Sequence, residues 1–154
     1  MRTFATTEEL AAAVGDSLGP GDWFPVDQTR VDGFADATDD HQWIHLDPQR
    51  AADGPYGGTI AHGFLTLSLI PALMRRLYQV KGVRMAVNYG LNKVRFPAPL
   101  RTGSAIRAEA VIASVDPVDG GVQVVMAVTV TADTAGKPVC VAETVSRLLT
   151  GASR

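Results

Sequence analysis

Residues 61–74 read AHGFLTLSLIPALM and contain no charged side chain. Beyond Arg75 and Arg76 the apolar pattern resumes at Leu77 and Tyr78, and Gly82 supplies a stop. A membrane span needs about 18 or more consecutive apolar residues, so this run is too short to be one. A helix apolar on every side is instead expected to be surrounded by protein on every side. Pro71 removes one backbone hydrogen bond inside it and is expected to bend it. Such a helix requires a sheet to wrap it.

The chain downstream supplies that sheet. Residues 83–96, 104–115, 122–132 and 139–149 are rich in β-branched side chains. They are separated by turn sequences: Pro97-Ala98-Pro99, Asp116-Pro117-Val118-Asp119-Gly120-Gly121 and Asp133-Thr134-Ala135-Gly136. Val122, Val124, Met126, Val128 and Val130 alternate with smaller or more polar neighbours, which gives that strand one buried face. Short connections predict an antiparallel meander. Gly90 inside the first long strand predicts a bulge or a close approach by the buried helix. Upstream, Thr6 with Glu9 makes a capping box for a short first helix that stops at Gly15. Residues 23–26 read as a brief extended segment, and Thr29 with Asp32 starts a second helix that delivers Asp39 and Asp40. Asp47-Pro48 opens a third, over about 48–52. The fold class is α+β, one domain over residues 1–154, a curved antiparallel sheet around a long central helix.

Bulk properties exclude several functions. A chain of 154 residues buries roughly 68–70% of its unfolded surface and needs no disulfide or metal staple. The charged fraction of 19% and net charge of −2 give no electrostatic reason to expect nucleic acid or an anionic membrane as partner. The single cysteine, Cys140, cannot form an internal disulfide, and Glu8 and Glu9 interrupt the amino terminus before a signal peptide's apolar core could form. A cytoplasmic protein is expected.

The chemistry-bearing groups crowd into residues 38–64, TDDHQWIHLDPQRAADGPYGGTIAHGF, which hold all three histidines. Asp40 and His45 are five residues apart, too far to share a helical face, so only a bend brings them together. A carboxylate and an imidazole so placed can hold one water and pass a proton between it and a carbon acid. Gly63 lets a ligand approach the backbone, and at a helix start its N–H is free to donate to an oxygen that gains negative charge. Water activation and carbonyl polarisation together point to chemistry beside a carbonyl. The loop Gly54-Pro55-Tyr56-Gly57-Gly58 lacks the Lys-Ser/Thr pair of a phosphate-binding P-loop and reads as a mobile flap. His41 and His45 could share a metal with Asp39 or His62 if they lay on one helix, but no further ligand motif supports this, and no metal is expected. His62 reads as a satisfied histidine at a helix start, and Trp43, Tyr56 and Phe64 as pocket wall or core.

Asp40-His41-Gln42-Trp43-Ile44-His45, Ile60-Ala61-His62-Gly63 and Arg95-Phe96-Pro97-Ala98-Pro99 resemble, in order and spacing, the MaoC-like (R)-specific enoyl-CoA hydratases. The likeness runs from about Thr29 to Leu149. It implies a hot-dog fold, a homodimer whose sheets join edge to edge, and reversible addition of water to a trans-2-enoyl thioester giving the (R)-3-hydroxyacyl thioester, with no cofactor. Carried over residue by residue, the motif puts the catalytic pair on Asp40 and His45 and the thioester-carbonyl donor on the Gly63 N–H. Gln42 stands where the family usually has Asn and Trp43 where it has Pro, departures that bear on the shape of the acyl pocket. Gln42 and Asn92 are candidates for support behind the pair. Lys93, Arg95 and Arg101 are candidates for the phosphates of CoA. The partner implied is an acyl-CoA or acyl-carrier-protein thioester. The alternatives are a hot-dog thioesterase and a non-catalytic acyl-thioester-binding subunit. Spacing leaves open which of Asp40 and His45 is base and which acid.

Overall fold

In the computed structural model, which describes residues 1–151, the chain runs β1 (Arg2–Phe4), α1 (Thr7–Ala12), β2 (Ser17–Leu18), β3 (Phe24–Pro25), α2 (Gln28–Thr38), α3 (Trp43–Leu46), α4 (Pro48–Ala52) and α5 (Gly63–Met74). It continues through β4 (Tyr78–Val80), β5 (Met85–Arg95), β6 (Ala105–Val118), β7 (Gly121–Ala132) and β8 (Cys140–Leu149). Local chemistry explains the helix starts. The Thr6 hydroxyl accepts the Glu9 N–H at 3.2 Å, and a Glu9 carboxylate oxygen accepts the Ala5 N–H in return. Helix α2 begins one residue before Thr29 because Asp27, not Thr29, caps it, accepting the Arg30 N–H at 2.9 Å. Asp47 caps α4 through the Arg50 N–H, with Pro48 in the first turn.

Six strands form one sheet in the order β2-β6-β7-β8-β5, with β3 also paired to β6, and every pairing in it is antiparallel. Strands β6, β7 and β8 make the expected meander. Strand β5 departs from it, pairing with β8 and not with β6, so the chain crosses the sheet between Arg95 and Ala105. The Pro97-Ala98-Pro99 segment cannot close a hairpin ladder, since each proline lacks a donor. Instead the crossing chain pairs with the segment before α5, where the Ala61 N–H donates to Leu100 O at 2.8 Å and Ile60 bridges Arg101. At Gly90 the register shifts and a Cβ would meet nothing within 4 Å, so the glycine serves a bulge and not a close helix approach.

Alternation sets the inner face. Val124, Met126, Val128 and Val130 of β7 are buried, as are Ile106, Ala108, Ala110 and Ile112 of β6. Against them lie Leu65, Leu69, Ile70 and Leu73 of α5. Two expectations about this helix are corrected. It ends at Met74, not near Gly82, because Tyr78–Val80 leaves the helix to pair parallel with β1, with Tyr78 edge-on to the buried Phe4 ring. Nor is it enclosed on every side: Phe64 is 68% exposed and Ser68 is exposed, since the sheet of one chain covers only one face. The uncovered side looks across a cavity of about 810 Å³ toward edge strand β5. No helix among the described residues is long and apolar enough to cross a membrane.

Truncating the buried face of α5 tests this packing. Leu73 is 2% exposed, and Leu73→Ala is expected to lower unfolding free energy by about 2–5 kcal/mol, the usual range for a core leucine. Chemical denaturation measures it, and a loss under about 1 kcal/mol, the size expected of a surface change, would contradict α5 as the core helix.

Candidate active site

Helix α2 stops because Asp39 adopts the left-handed conformation, φ 59° and ψ 19°, a backbone state that Asp tolerates better than most residues. The chain turns there and starts α3 after Gln42. The bend that the spacing of Asp40 and His45 calls for lies just beyond it, where the extended Gln42, φ −59° and ψ 137°, separates Asp40 from the new helix. It aims His45 inward, 6% exposed, while Asp40 stays exposed beside it.

Three layers of hydrogen bonds hold His45. Its Nδ1–H donates to Ile60 O at 2.7 Å, and Ile60 in turn donates its N–H to Ile44 O at 3.0 Å. Gln28 donates to His45 O at 2.8 Å and accepts from the Thr59 hydroxyl at 2.8 Å, tying the first turn of α2 to both α3 and the loop. Because a carbonyl only accepts, the Ile60 contact assigns the Nδ1–H tautomer and leaves the His45 Nε2 lone pair free. Burial pushes the His45 pKa down, partly opposed by the Ile60 hydrogen bond; His62 adds to the lowering and Asp40 works against it. Neutral His45 is therefore a base with its acceptor nitrogen unengaged.

His62, only 3% exposed, completes the cluster. Its ring stacks on that of His45 with centroids 3.7 Å apart, and its Nε2–H donates to Asp40 O at 2.9 Å. A carboxylate oxygen of Asp40 and one nitrogen of each imidazole all lie within 4.8 Å of one another. Two hydrogen bonds of ~2.8 Å meeting at a tetrahedral water span about 4.6 Å, so groups within this limit are in reach of one shared water. The three residues of this cluster are also close enough to take a metal ion, two histidines and one carboxylate as in open catalytic sites, but one nitrogen of each ring is already committed to a main-chain carbonyl. His41 does not join it, being exposed and paired with Asp36 at 3.0 Å, a contact that raises its pKa.

Gly63 is the first residue of α5, where N–H groups have no carbonyl within the helix to bond. A Cβ there would fall 3.0 Å from the Phe96 ring, so the glycine admits Phe96 as well as baring the amide. The other expected residues are dispersed. Gln42 is exposed at the start of α3 and makes no side-chain cap. Asn92 lies on β5, donating to Glu143 at 2.6 Å. Arg101, a candidate for CoA phosphates, donates to Tyr56 O at 2.9 Å and Gly57 O at 3.0 Å, so the glycine-rich loop is tethered where a mobile flap was expected. Trp43 packs against Gly54 under the Arg50 guanidinium, 4.3 Å from its ring centroid. Sequence reasoning missed Gln28 and underrated His62; no local signal marks either, because their partners are distant in the chain.

The family model for the MaoC like domain matches residues 9–135, which include Asp40, His45 and Gly63. The chain belongs to the MaoC-like dehydratase family. It is 53% identical over 148 residues to 3-hydroxyacyl-thioester dehydratase Z of Mycobacterium tuberculosis, covering 96% of this chain and 98% of that protein. A 3-hydroxybutyryl-CoA dehydratase of Methylorubrum extorquens is 34% identical over 92 residues, 60% of this chain and 56% of that one. Among solved structures, an (R)-hydratase from Pseudomonas aeruginosa superposes with a TM-score of 0.75 at 24% identity, covering 96% and 88% of the two chains. The fold of this MaoC-like dehydratase is thereby the hot-dog fold, and the protein is an enzyme of the dehydratase class.

The buried imidazole carries a measurable consequence. In an NMR titration of the ring resonances, assigned by His→Gln substitution, His45 should titrate below the ordinary value of about 6.5 and His41 above it. Since the folded state binds the His45 proton less tightly than the unfolded chain, this group's contribution to stability is complete above about pH 6.5 and falls as pH drops toward the folded pKa. A His45 midpoint at or above 6.5 would refute the burial argument.

Proposed function

We propose that this MaoC-like dehydratase adds water reversibly to a trans-2-enoyl thioester, giving the (R)-3-hydroxyacyl thioester. The observation that carries the reading is the Asp40 carboxylate and the His45 imidazole within 4.8 Å of each other, the imidazole with Nε2 unengaged. The 53% identity to a 3-hydroxyacyl-thioester dehydratase over nearly the whole length supports it, as does the bare amide at Gly63.

The steps balance without a cofactor. Water lies between Asp40, which accepts one of its hydrogens and orients it, and His45, whose Nε2 removes the other as the oxygen bonds to C3. The C2–C3 π electrons move toward the thioester carbonyl, and its oxygen gains negative charge against the Gly63 N–H. The imidazolium then returns its proton to C2, so both side chains end as they began. Dehydration is the reverse, with neutral His45 taking the C2 proton. Neutral His45 is the base and its conjugate acid the proton donor, while Asp40 orients the water by accepting its other hydrogen.

The reading includes a homodimer. Met85, Val87, Tyr89 and Leu91 of edge strand β5 are exposed, and Phe64 and the 810 Å³ cavity lie on the same open side of α5. An unpaired apolar edge is one that a second strand covers, and a copy of β5 would extend the sheet and close the cavity. Cys140, fully buried with its thiol pushed up to about 11 by burial, suits the reducing cytoplasm in which we place the enzyme.

Following enoyl absorbance with crotonyl-CoA tests the chemistry. Asp40→Asn and His45→Ala should each slow hydration by about 10²–10⁴, the range for acid–base groups, and a loss within about threefold would exclude the pair. Release of free CoA without loss of the double bond would mark a thioesterase instead. For the dimer, sedimentation should find two copies in the wild type and one in Val87→Lys, which puts a charge on the edge strand; a wild-type monomer would refute it.

A further inference from the structure

His62 joins all three parts of the proposed site, and the reaction as written uses none of its own atoms. Its Nε2–H holds the main-chain oxygen of Asp40 at 2.9 Å. Its ring lies flat against His45, 3.7 Å between centroids and 24° between planes. Its peptide carbon bonds to the nitrogen of Gly63, and its own carbonyl accepts the Leu65 and Thr66 N–H groups that begin α5. The side chain is 3% exposed, and its Nδ1 has no hydrogen-bond partner.

That unpartnered nitrogen is informative. A buried acceptor without a donor lowers stability, and such exceptions persist in native proteins where another demand overrides satisfaction. Here the demand is visible. An imidazole has two nitrogens, and directing Nε2–H at Asp40 O leaves Nδ1 as a bare acceptor facing no donor. A phenylalanine would fill the space and stack without this penalty. The histidine therefore does something a plain core residue would not.

We propose that His62 is a positioning residue of the dehydratase, its Nε2–H fixing the main chain at Asp40 and its ring face fixing His45, so that both side chains meet one water beside the Gly63 amide. This rests on the reaction proposed above and adds a residue to it. The need for a tether is physical. Asp40 sits in the exposed connection between α2 and α3, one residue beyond the left-handed Asp39. Of the side-chain hydrogen bonds in the described residues, the one from His62 is the only one made to Asp40. Displacement of a reacting group by about 1 Å costs on the order of 10² in rate, whereas substrate affinity, set by the acyl and carrier contacts, is unaffected. The groups facing the His62 ring are Asp40 from that connection, His45 from α3 and Phe34 from α2, centroid distance 4.9 Å.

Two substitutions separate the two contacts. His62→Phe keeps the stacking and removes the donor; His62→Gln keeps an N–H near the Nε2 position and removes the aromatic face. Steady-state hydration of crotonyl-CoA should show His62→Phe with kcat lowered about 10–100-fold and KM within about threefold, and His62→Gln recovering most of that kcat. The acid limb of the His62→Phe profile should move to higher pH, because one of the neighbours that lower the His45 pKa is gone. A residue that only supports the fold would lower the melting temperature without moving that limb. If His62→Phe does not fold, His62→Gln against His62→Asn gives the same contrast, since the shorter amide falls short of Asp40 O. At least tenfold higher kcat for Gln than for Asn supports the proposal. Equal rates for the paired variants, or a folded His62→Phe with wild-type kcat, overturn it. A wild-type protein without hydratase activity would instead defeat the reaction assignment, and dead Asp40→Asn and His45→Ala beside an unaffected His62→Phe would defeat this inference alone.

Discussion

The 2.7 Å hydrogen bond from His45 Nδ1 to the Ile60 carbonyl is the constraint on which the site depends. It determines which ring nitrogen carries the proton and which is left to act, and a free imidazole would exchange the two roles. The bond can do this because Ile60 is itself held from both sides. Its N–H is held by Ile44 O, it bridges Arg101, and its neighbour Ala61 is bonded to Leu100 O. The segment before α5 thus behaves as a short strand clamped between α3 and the crossing chain. Burial and the tautomer act together: one lowers the His45 pKa and the other leaves its basic nitrogen without a hydrogen-bond partner.

The crossing of the chain between β5 and β6 links the site to the fold. By sending β5 to the far edge beside β8, it brings Leu100 and Arg101 across the entrance to α5 and leaves Phe96 against Gly63. The same crossing leaves β5 with apolar side chains in solvent and α5 covered on one face only. The geometry around Gly63 and an apolar open edge are two outcomes of one topological choice. The glycine-rich loop follows the same logic: Arg101, carried there by the crossing, holds its carbonyls.

Much of this was legible in the sequence because it depends on neighbours close in the chain. The four long strands lie where β-branched runs between turn sequences put them, except that β6 continues through Asp116, Pro117 and Val118 and leaves only Asp119 and Gly120 to turn; Thr6 and Asp47 cap their helices as their residue types require. Gly90 marks a bulge by lacking a side chain. The Asp40–His45–Gly63 trio could be named from motif resemblance. What could not be read were pairings between distant residues: β5 with β8, β1 with β4, Gln28 with His45 and His62 with Asp40. The run after Arg76 misled for the same reason. Leu77, Tyr78 and Val80 are apolar enough to continue a helix, and only the presence of Arg2–Phe4 alongside makes part of them a strand.

By itself, then, the sequence determined that an apolar helix would pack on an antiparallel sheet and that a carboxylate, an imidazole and a helix-start amide would be available near one another. The tertiary structure decided that the helix is covered on one face, that His45 presents Nε2, and that His62 lies between its ring and the Asp40 main chain. The physical reason is range. Propensity, capping and alternation are properties of residues within a few positions of each other, whereas hydrogen bonds spanning 15 and 22 residues exist only once the chain has closed on itself.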